Sequence, residues 1–373
     1  MVALLLGGGL QALSTANSLK RIGWCVNVFS KESMFKYCSS IEHIVYFQLS
    51  VEVIVDYINT NDISIVIPMS DKHTQWLCAN RIRIENQTNA KCAIPPSKVL
   101  SIVGNKSVFL KFCRNNGIQS PETESITMKN VLEISEKIGF PSLIKPDFSV
   151  GAQGITKVFS IEELLKKLPA VLDRYGTCSL QEFVDNKEFY YNVMLYRYSN
   201  GTYAQDVITR IFRFFPKSGG SSCCCVTVED SKLIEVCKRT LDKLEWIGFA
   251  DFDVLYDTNK GQYKIIEINP RVPASLRAAD ISGVNFPQIM VEDILLNKKV
   301  EMIYTPGYYL RYFGLDCMWF LSSLRDLSVS VNWFRFFGKN LCYQDLYLDS
   351  PFLIIGIVTH GVKRLFQKFS KKN

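Results

Sequence analysis

Short apolar runs alternating with amphipathic stretches organise the first quarter of the chain. Val2–Leu6 is a continuous apolar run of strand length, and Gly7-Gly8-Gly9 follows it as a tight turn. Gln11–Arg21 then places Leu13, Ala16 and Leu19 at helical spacing, and Gly23 ends that helix. Cys25–Phe29, Ile41–Phe47 and Ser64–Pro68 read as further strands with helical stretches between them. This alternation predicts a doubly wound, Rossmann-like α/β unit over residues 1–95, with Pro95-Pro96 as the linker that closes it.

A different pattern follows. A helix is predicted over Lys106–Asn116, stopped by Gly117. Ser142–Lys145 reads as a short strand ending at Pro146, and Ser149–Ile155 as a glycine-containing loop. Ile161–Leu168 predicts a helix with Glu162 and Glu163 in its first turn, where carboxylates suit the dipole. Ser179–Val184, Phe189–Tyr196 and Ala204–Arg210 read as strands, and Leu233–Leu244 as a helix. Gly248–Tyr256 and Tyr263–Asn269 read as two antiparallel strands joined by the turn Asp257–Gly261. From about residue 306 aromatic residues crowd the chain, and near its end Lys363, Arg364, Lys368, Lys371 and Lys372 stand among Leu365, Phe366 and Phe369. That ending has the character of a helix that can lie on an anionic membrane, but a terminal helix packed on the protein with its lysines in water is the favoured reading.

Composition narrows the picture. The 373 residues are enough for two or three domains, and 47% hydrophobic with 21% charged is globular composition. A net charge of +7 is modest, and no basic run is interleaved with stacking aromatics, so no nucleic-acid partner is expected. No apolar run is long enough to predict a transmembrane helix. Met1 is followed at once by the apolar run, with no basic stretch of an export signal, which predicts a cytoplasmic chain with reduced thiols. The 12 cysteines form no C-x-x-C pair and only 3 histidines accompany them, so a zinc site is not expected. Cys223-Cys224-Cys225 reads as buried strand.

Three constellations could carry chemistry. The glycine turn presents backbone N–H groups at a helix N-terminus, which suits a phosphate. It is not a full G-x-G-x-x-G, and Lys31 and Glu32 after the second strand do not settle whether a ribose partner is present. Lys145 ends a strand beside a loop whose Gly151 and Gly154 let backbone approach phosphates closely. Most specific is the hairpin. Glu267 and Asn269 lie two residues apart, hence on one face of a strand, and Asp253 on the neighbouring strand makes a plausible third oxygen ligand for Mg²⁺. Ile266 and Ile268 would face the core, and Arg271 could grip a carboxylate or phosphate.

The run Ile266-Glu267-Ile268-Asn269-Pro270-Arg271 resembles the signature of the ATP-grasp enzymes, in particular the branch with the carbamoyl-phosphate synthase large subunit and the carboxylate–amine ligases. The resemblance covers roughly residues 1–300. It implies an α+β ATP-grasp fold: a pre-ATP-grasp domain (1–95), an ATP-grasp domain (96–305) with a small lid lobe at about 120–185 and a catalytic lobe at about 186–305, and a C-terminal extension (306–373). It implies that Lys106 and Lys145 are the two nucleotide lysines and that the loop with Ser149, Gly151, Gly154 and Ile155 covers the phosphates. Gln181, Glu182, Phe183 and Val184 would form the adenine hinge, and Glu188 would hold the ribose. Asp253, Glu267 and Asn269 would bind Mg²⁺, with Mn²⁺ as a substitute, and Arg210 and Arg271 would stabilise transferring phosphate. Ala152-Gln153 and Asp253 depart from the glycine and Glu or Gln common in relatives, without removing a needed charge.

The activity so implied is ADP-forming ligation. ATP activates a small-molecule carboxylate as an acyl phosphate, an amine attacks it, and the protein is a peripheral or soluble cytoplasmic enzyme, commonly a homodimer, in a surface-polysaccharide or envelope pathway. Two other readings stay open from the residues: a non-catalytic ATP-binding regulatory module, and a Rossmann oxidoreductase built on Gly7–Gly9.

Overall fold

The computed structural model of the chain describes residues 1–147, 154–185, 190–216, 220–322, 333–357 and 359. The first apolar run forms β1 (Val2–Leu6), followed by α1 (Leu10–Lys20), β2 (Cys25–Phe29), β3 (His43–Val45), α2 (Val51–Thr60), β4 (Ile63–Pro68), α3 (Asp71–Gln87) and β5 (Lys91–Cys92). The strands pair in the order β3-β2-β1-β4-β5, all parallel. Both faces of β1 are covered: Ala3 and Leu5 join one apolar cluster, Leu4 and Leu6 another. A strand buried on both sides needs an unbroken apolar run, which is what the sequence carries. Ser50 and Ser70 cap α2 and α3 by accepting the Val53 and His73 backbone N–H groups. The strand expected over Ile41–Phe47 shrinks to three residues at the sheet edge, where only β2 pairs with it.

After Pro95-Pro96 come α4 (Ser97–Val103) and α5 (Lys106–Asn115). A second, four-stranded antiparallel sheet follows, built from β6 (Thr123–Ile126), β7 (Ser142–Pro146), β8 (Thr156–Val158) and β9 (Cys178–Glu182) in the order β6-β9-β7-β8. It is backed by α6 (Val131–Ile138) and α7 (Ile161–Tyr175). The sequence predicts α7 to end at Leu168, before Pro169. The helix instead runs on to Tyr175, because Val171 extends the buried stripe of Leu164 and Leu168.

The third sheet is the largest. Its elements are β10 (Tyr190–Arg197), β11 (Val207–Phe215), β12 (Ser221–Val228), α8 (Ser231–Leu244), β13 (Gly248–Asp257), β14 (Gln262–Asn269), α9 (Leu276–Ile281), α10 (Phe286–Leu296), β15 (Tyr309–Arg311), α11 (Phe313–Leu321) and β16 (Leu341–Tyr343). The strand order is β14-β13-β10-β11-β12-β15-β16. The expected hairpin is present as β13 and β14. Cys223–Cys225 lie buried in β12, where burial holds the Cys223 and Cys224 thiols up at about 12 and about 11. Such thiols stay protonated at neutral pH. No helix among the described residues is long and apolar enough to cross a membrane.

The aromatic C-terminal stretch contributes strands to this sheet as well as a helix. β15 pairs antiparallel with β12, and β16 parallel with β15. A buried ionic triad joins the two parts. Arg213 Nε and Nη2 donate to Asp316 at 2.7 and 2.9 Å, and Arg311 Nε donates to the same carboxylate at 2.7 Å. The Arg213 and Asp316 side chains are 0% exposed, and Trp319, Trp333 and Phe336 lie over the two guanidinium groups. Removing one member of a buried ion network leaves the remaining charge without compensation. Asp316→Asn is therefore expected to cost about 3–5 kcal/mol of stability; a denaturant unfolding curve that does not move would show that the triad is not what anchors α11.

Candidate functional site

The β13–β14 ladder sets the centre of the site. Asp253 pairs with Glu267 and Asp251 with Asn269. Directly opposed residues share a face, so four oxygen-bearing side chains project together. Asn269 Nδ2 donates to Asp251 Oδ2 and Asp253 Oδ2, each at 3.3 Å. On the next strand Asn192 stands opposite Asp253 and donates to its carboxylate. A register shift between Asp253 and Val254 leaves Ile266 outside the ladder pairs, a bulge. Ile268 is buried in the core as expected, whereas Ile266 is half-buried and lines a cleft beside Lys106 and Lys145.

Two lysines approach this acidic face from other elements. Lys106 opens α5, capped by Asn105, and its Nζ lies 3.4 Å from Glu267 Oε2. Lys145 sits on β7 of the second sheet, so it crosses from the lid to the acidic face. Burial and the neighbouring Lys106 push its ammonium down to about 8, against the pull of Glu267 and Asp253. The carboxylates show the complementary strain. Burial, Glu267 and Asp251 hold Asp253 well above the usual carboxylate range. Burial drives Asp251 to about 8, although Arg271 and Asn269 draw it down. Burial also opposes ionisation of Glu267, but Lys106, Asp253 and Lys145 outweigh it and keep that carboxyl low.

A face crowded with carboxylates that resist ionisation lacks positive charge, and hard oxygen donors in this arrangement fit Mg²⁺. Among the described residues no three His, Cys, Asp or Glu side chains form a metal cage by themselves. Asp253, Glu267 and Asn269 would thus share the ion with nucleotide phosphates, the usual habit of Mg²⁺. The cleft between Lys106, Lys145, Ser179 and Gln181 has a volume of about 10 Å³. That is room for about one water.

Ion pairs and hydrogen bonds make the join between the second and third sheets. Glu182, the last residue of β9, receives Lys264 Nζ at 2.6 Å on both carboxylate oxygens and Lys260 Nζ at 2.9 Å. Lys264 is 2% exposed and also lies 3.2 Å from Asp257. The Asp185 carbonyl accepts from Thr258 N–H and Oγ1 at 3.2 and 2.8 Å. The Gln181 amide is held by Thr123 at 2.8 Å, and the Phe183 ring lies 3.1 Å from Lys157 Nζ. The Glu182 and Gln181 side chains are therefore engaged within the protein, and an adenine at this strand end would meet backbone. Val184 is buried. Lys264 was not singled out by the sequence, because nothing in the local pattern marks a buried lysine.

Other expected residues fall variously. Gly154 has φ +78°, and a Cβ there would stand 2.7 Å from the Tyr175 ring, so only glycine fits; half-buried Ile155 follows it. Ser149, Gly151, Ala152, Gln153 and Glu188 lie outside the described residues. Arg271 reaches the first sheet, where its Nε and Nη2 donate to Asp71 at 3.0 and 3.4 Å. Arg210 is not brought to the site. It pairs with Tyr191, one residue out of step with Asn192, so the pleat turns it to the opposite face of the sheet, beside Phe212. Around the glycine turn, the Gly9 N–H is donated to Glu32 Oε2 at 2.9 Å, so this donor is already spent on the chain's own carboxylate. The acidic residue after β2 thus closes the turn.

A parallel α/β sheet, a small antiparallel sheet and a large antiparallel sheet with two lysines facing a carboxylate ladder have the ATP-grasp fold. Residues 202–311 match the family "ATP-grasp in the biosynthetic pathway with Ter operon". The chain is 27% identical over 224 residues to a D-aspartate ligase of Enterococcus faecium, covering 54% of this chain and 52% of the relative. It is 23% identical over 260 residues to the carbamoyl phosphate synthase large chain of Thermoanaerobacter pseudethanolicus, covering 63% of this chain and 22% of that one. The chain thus spans about half of the first relative and about a fifth of the second. The biotin carboxylase domain of the Hydrogenobacter thermophilus 2-oxoglutarate carboxylase, solved with MgADP, ADP and bicarbonate, shares the fold with a TM-score of 0.65 at 14% identity, over 82% of this chain and 73% of that one.

The raised carboxylates give a pH dependence. Groups whose folded pKa is raised stabilise the native state while protonated, and that contribution is lost as pH climbs through the folded value. Without metal, the protein is expected to lose stability as pH rises through about 8, where Asp251 ionises. Added Mg²⁺ should raise the melting temperature more at pH 8.5 than at pH 6, because protons no longer compete for the ligands. Equal shifts at both pH values in a thermal melt would contradict the metal assignment of this face.

Proposed function

We propose that the protein is an ADP-forming ligase that joins a carboxylate to an amine through an acyl phosphate. The observation that carries this reading is the meeting of Lys106 and Lys145 with Asp253, Glu267 and Asn269 across one cleft. The similarity to a D-aspartate ligase supports it, as does the MgADP held by the structural relative.

In this reading a substrate carboxylate oxygen attacks the γ-phosphorus of ATP, the bond to the β–γ bridging oxygen breaks, and ADP leaves. The amine nitrogen then attacks the acyl carbon; the C–N bond forms as the C–O bond to phosphate breaks, and the ammonium proton passes to water. Lys106 from the start of α5 and Lys145 from β7 would offset phosphate charge from two separate elements. Mg²⁺, when bound, supplies the positive charge the carboxylate face lacks. Arg271 would hold a carboxylate or phosphate on leaving Asp71. The hinge clasp of Lys264, Lys260 and Glu182 would set the backbone on which the adenine rests. No nucleophilic side chain is required.

The finer parts of the reading are a cytoplasmic homodimer, peripheral contact with a membrane, and work in surface-polysaccharide or envelope synthesis. What supports membrane contact is the mixture of Lys363, Arg364 and Lys368 with Leu365, Phe366 and Phe369, which lie outside the described residues. Flotation with anionic liposomes is expected for the full chain and not for one lacking residues 351–373; equal flotation of both would remove the membrane role.

ADP release with Mg-ATP and a panel of acids and amines tests the ligase reading directly. Lys145→Ala and Glu267→Ala are each expected to lower turnover by about 100-fold or more, while Arg210→Ala, on the far face, should leave it within about threefold, since a residue without contact to the reacting groups affects only stability. ATP binding without turnover across the whole panel would point to a regulatory module instead.

A further inference from the structure

The face of the third sheet that carries the carboxylate ladder continues past Asp251. Counted by twos along β13, Asp253, Asp251 and Phe249 share it, and their partners on β10 are Asn192, Met194 and Tyr196. The face is polar at one end and apolar at the other. At the apolar end Phe249 and Tyr196 line a cavity of about 160 Å³. Its other walls include Ile67 and Cys92 of the first sheet, Ile94 before the Pro95-Pro96 linker, and Met290 and Ile294 of α10. Ile67, Cys92, Phe249 and Met290 are buried. Small-molecule pockets collect at such places, where one domain meets another.

Polar groups around the cavity are already engaged. The Tyr196 hydroxyl donates to Asp293 Oδ2 at 2.7 Å, and Arg81, 39% exposed, has its Nε 3.2 Å from Glu85. The guest that fits these walls is apolar, and its size is bounded: an apolar cavity of roughly 150 Å³ takes benzene. Arg271 says which chemical group accompanies it. This residue follows Asn269 by two positions and lines the same cavity. Its charge also acts on Asp251 and Asp253, so it serves both the cavity and the ladder. Its Nε and Nη2 hold the Asp71 carboxylate in a fork, at 3.0 and 3.4 Å. The Asp71 side chain is 40% exposed, and ion pairs so open to water exchange partners at little cost.

We propose that this cavity holds the apolar side group of the acid that ATP activates, with the acid's carboxylate on Arg271. The substrate is then a carboxylic acid bearing one compact apolar group, no larger than about a phenyl ring. This assignment rests on the ligase reading. It sets the carboxylate beside the ladder, toward the phosphate end, while the apolar group leaves water at the far end of the same face. An acid whose side group is charged would lose its hydration against these walls and is disfavoured.

The test reads hydroxamate and ADP formed from Mg-ATP, hydroxylamine and a graded series of acids. The series is glycine, leucine, phenylalanine, tryptophan and aspartate, together with the same acids lacking the amino group. Hydroxamate forms only from the activated acid, so use of a compound as the amine is not counted. Wild-type kcat/KM for the leucine or phenylalanine members is expected to exceed that for the glycine members by about 10- to 200-fold, the range an apolar pocket gives. The tryptophan and aspartate members should fall below them. Ile94→Trp narrows the cavity and should lower the phenylalanine-to-glycine ratio by about tenfold or more. Met290→Ala widens it and should raise the tryptophan-to-phenylalanine ratio. Both ratios are taken within one variant, so a smaller folded fraction does not mimic the effect. Turnover favouring acids without an apolar group, or a ratio that Ile94→Trp leaves in place, would overturn the assignment and leave the ligase reading standing. No ADP release by the wild-type protein with any acid would instead remove the ligase reading, and this assignment with it.

Discussion

The pairing register of β13 with β14 is the constraint on which the site depends. It sets Asp253 against Glu267 and Asp251 against Asn269, and because strand side chains alternate, a slip of β14 by one residue would turn Glu267 and Asn269 away from the two aspartates. The bulge at Ile266 is part of the same constraint. It lets Ile265 and Ile268 both enter the core while Glu267 and Asn269 share the opposite face. Every other component of the site is placed relative to that ladder: Asn192 on the adjoining strand, Lys106 at a helix start that packs against β14, and Lys145 on a sheet that closes over it.

The concentration of like charge on this face is tolerable only because something else is brought to it. Lys106 keeps Glu267 ionised, whereas burial and mutual repulsion hold Asp253 and Asp251 up. A site of this kind sits poised for cations, and the lysines opposite are poised for anions. The combination suits a metal–phosphate pair better than either ion alone. The same balance of charge holds where the second sheet meets the third: Glu182 is flanked by Lys264 and Lys260, so β9 is joined to the β13–β14 hairpin by ion pairs, with Asp185–Thr258 hydrogen bonds beside them.

The Arg213–Asp316–Arg311 triad shows how the third sheet was extended. β15 and β16 lengthen the sheet beyond β12, and the triad holds α11 against β11 and β12. An edge strand left open invites pairing with other chains, and here the chain's own C-terminal stretch covers it.

Much of this was legible in residue order. Val2–Leu6 and the helical spacing of Leu13, Ala16 and Leu19 specify elements through short-range periodicity, and the i, i+2 spacing of Glu267 and Asn269 specifies a shared face wherever that segment is a strand. Such properties are local, so the chain carries them before it folds. Which strand lies beside which is not local. The placement of Arg210 on the far face follows from the register of β10 with β11, two strands joined by a loop whose length sets no parity. The buried role of Lys264, the Glu32 carboxylate on Gly9, and the burial of Asp251 beside Asn269 depend on partners far away in sequence. Sequence alone therefore determined the elements and the shared face of the oxygen-bearing side chains of one hairpin. Tertiary structure decided which cations, carboxylates and backbone donors meet there, because burial and pairwise charge exist only once distant segments are packed together.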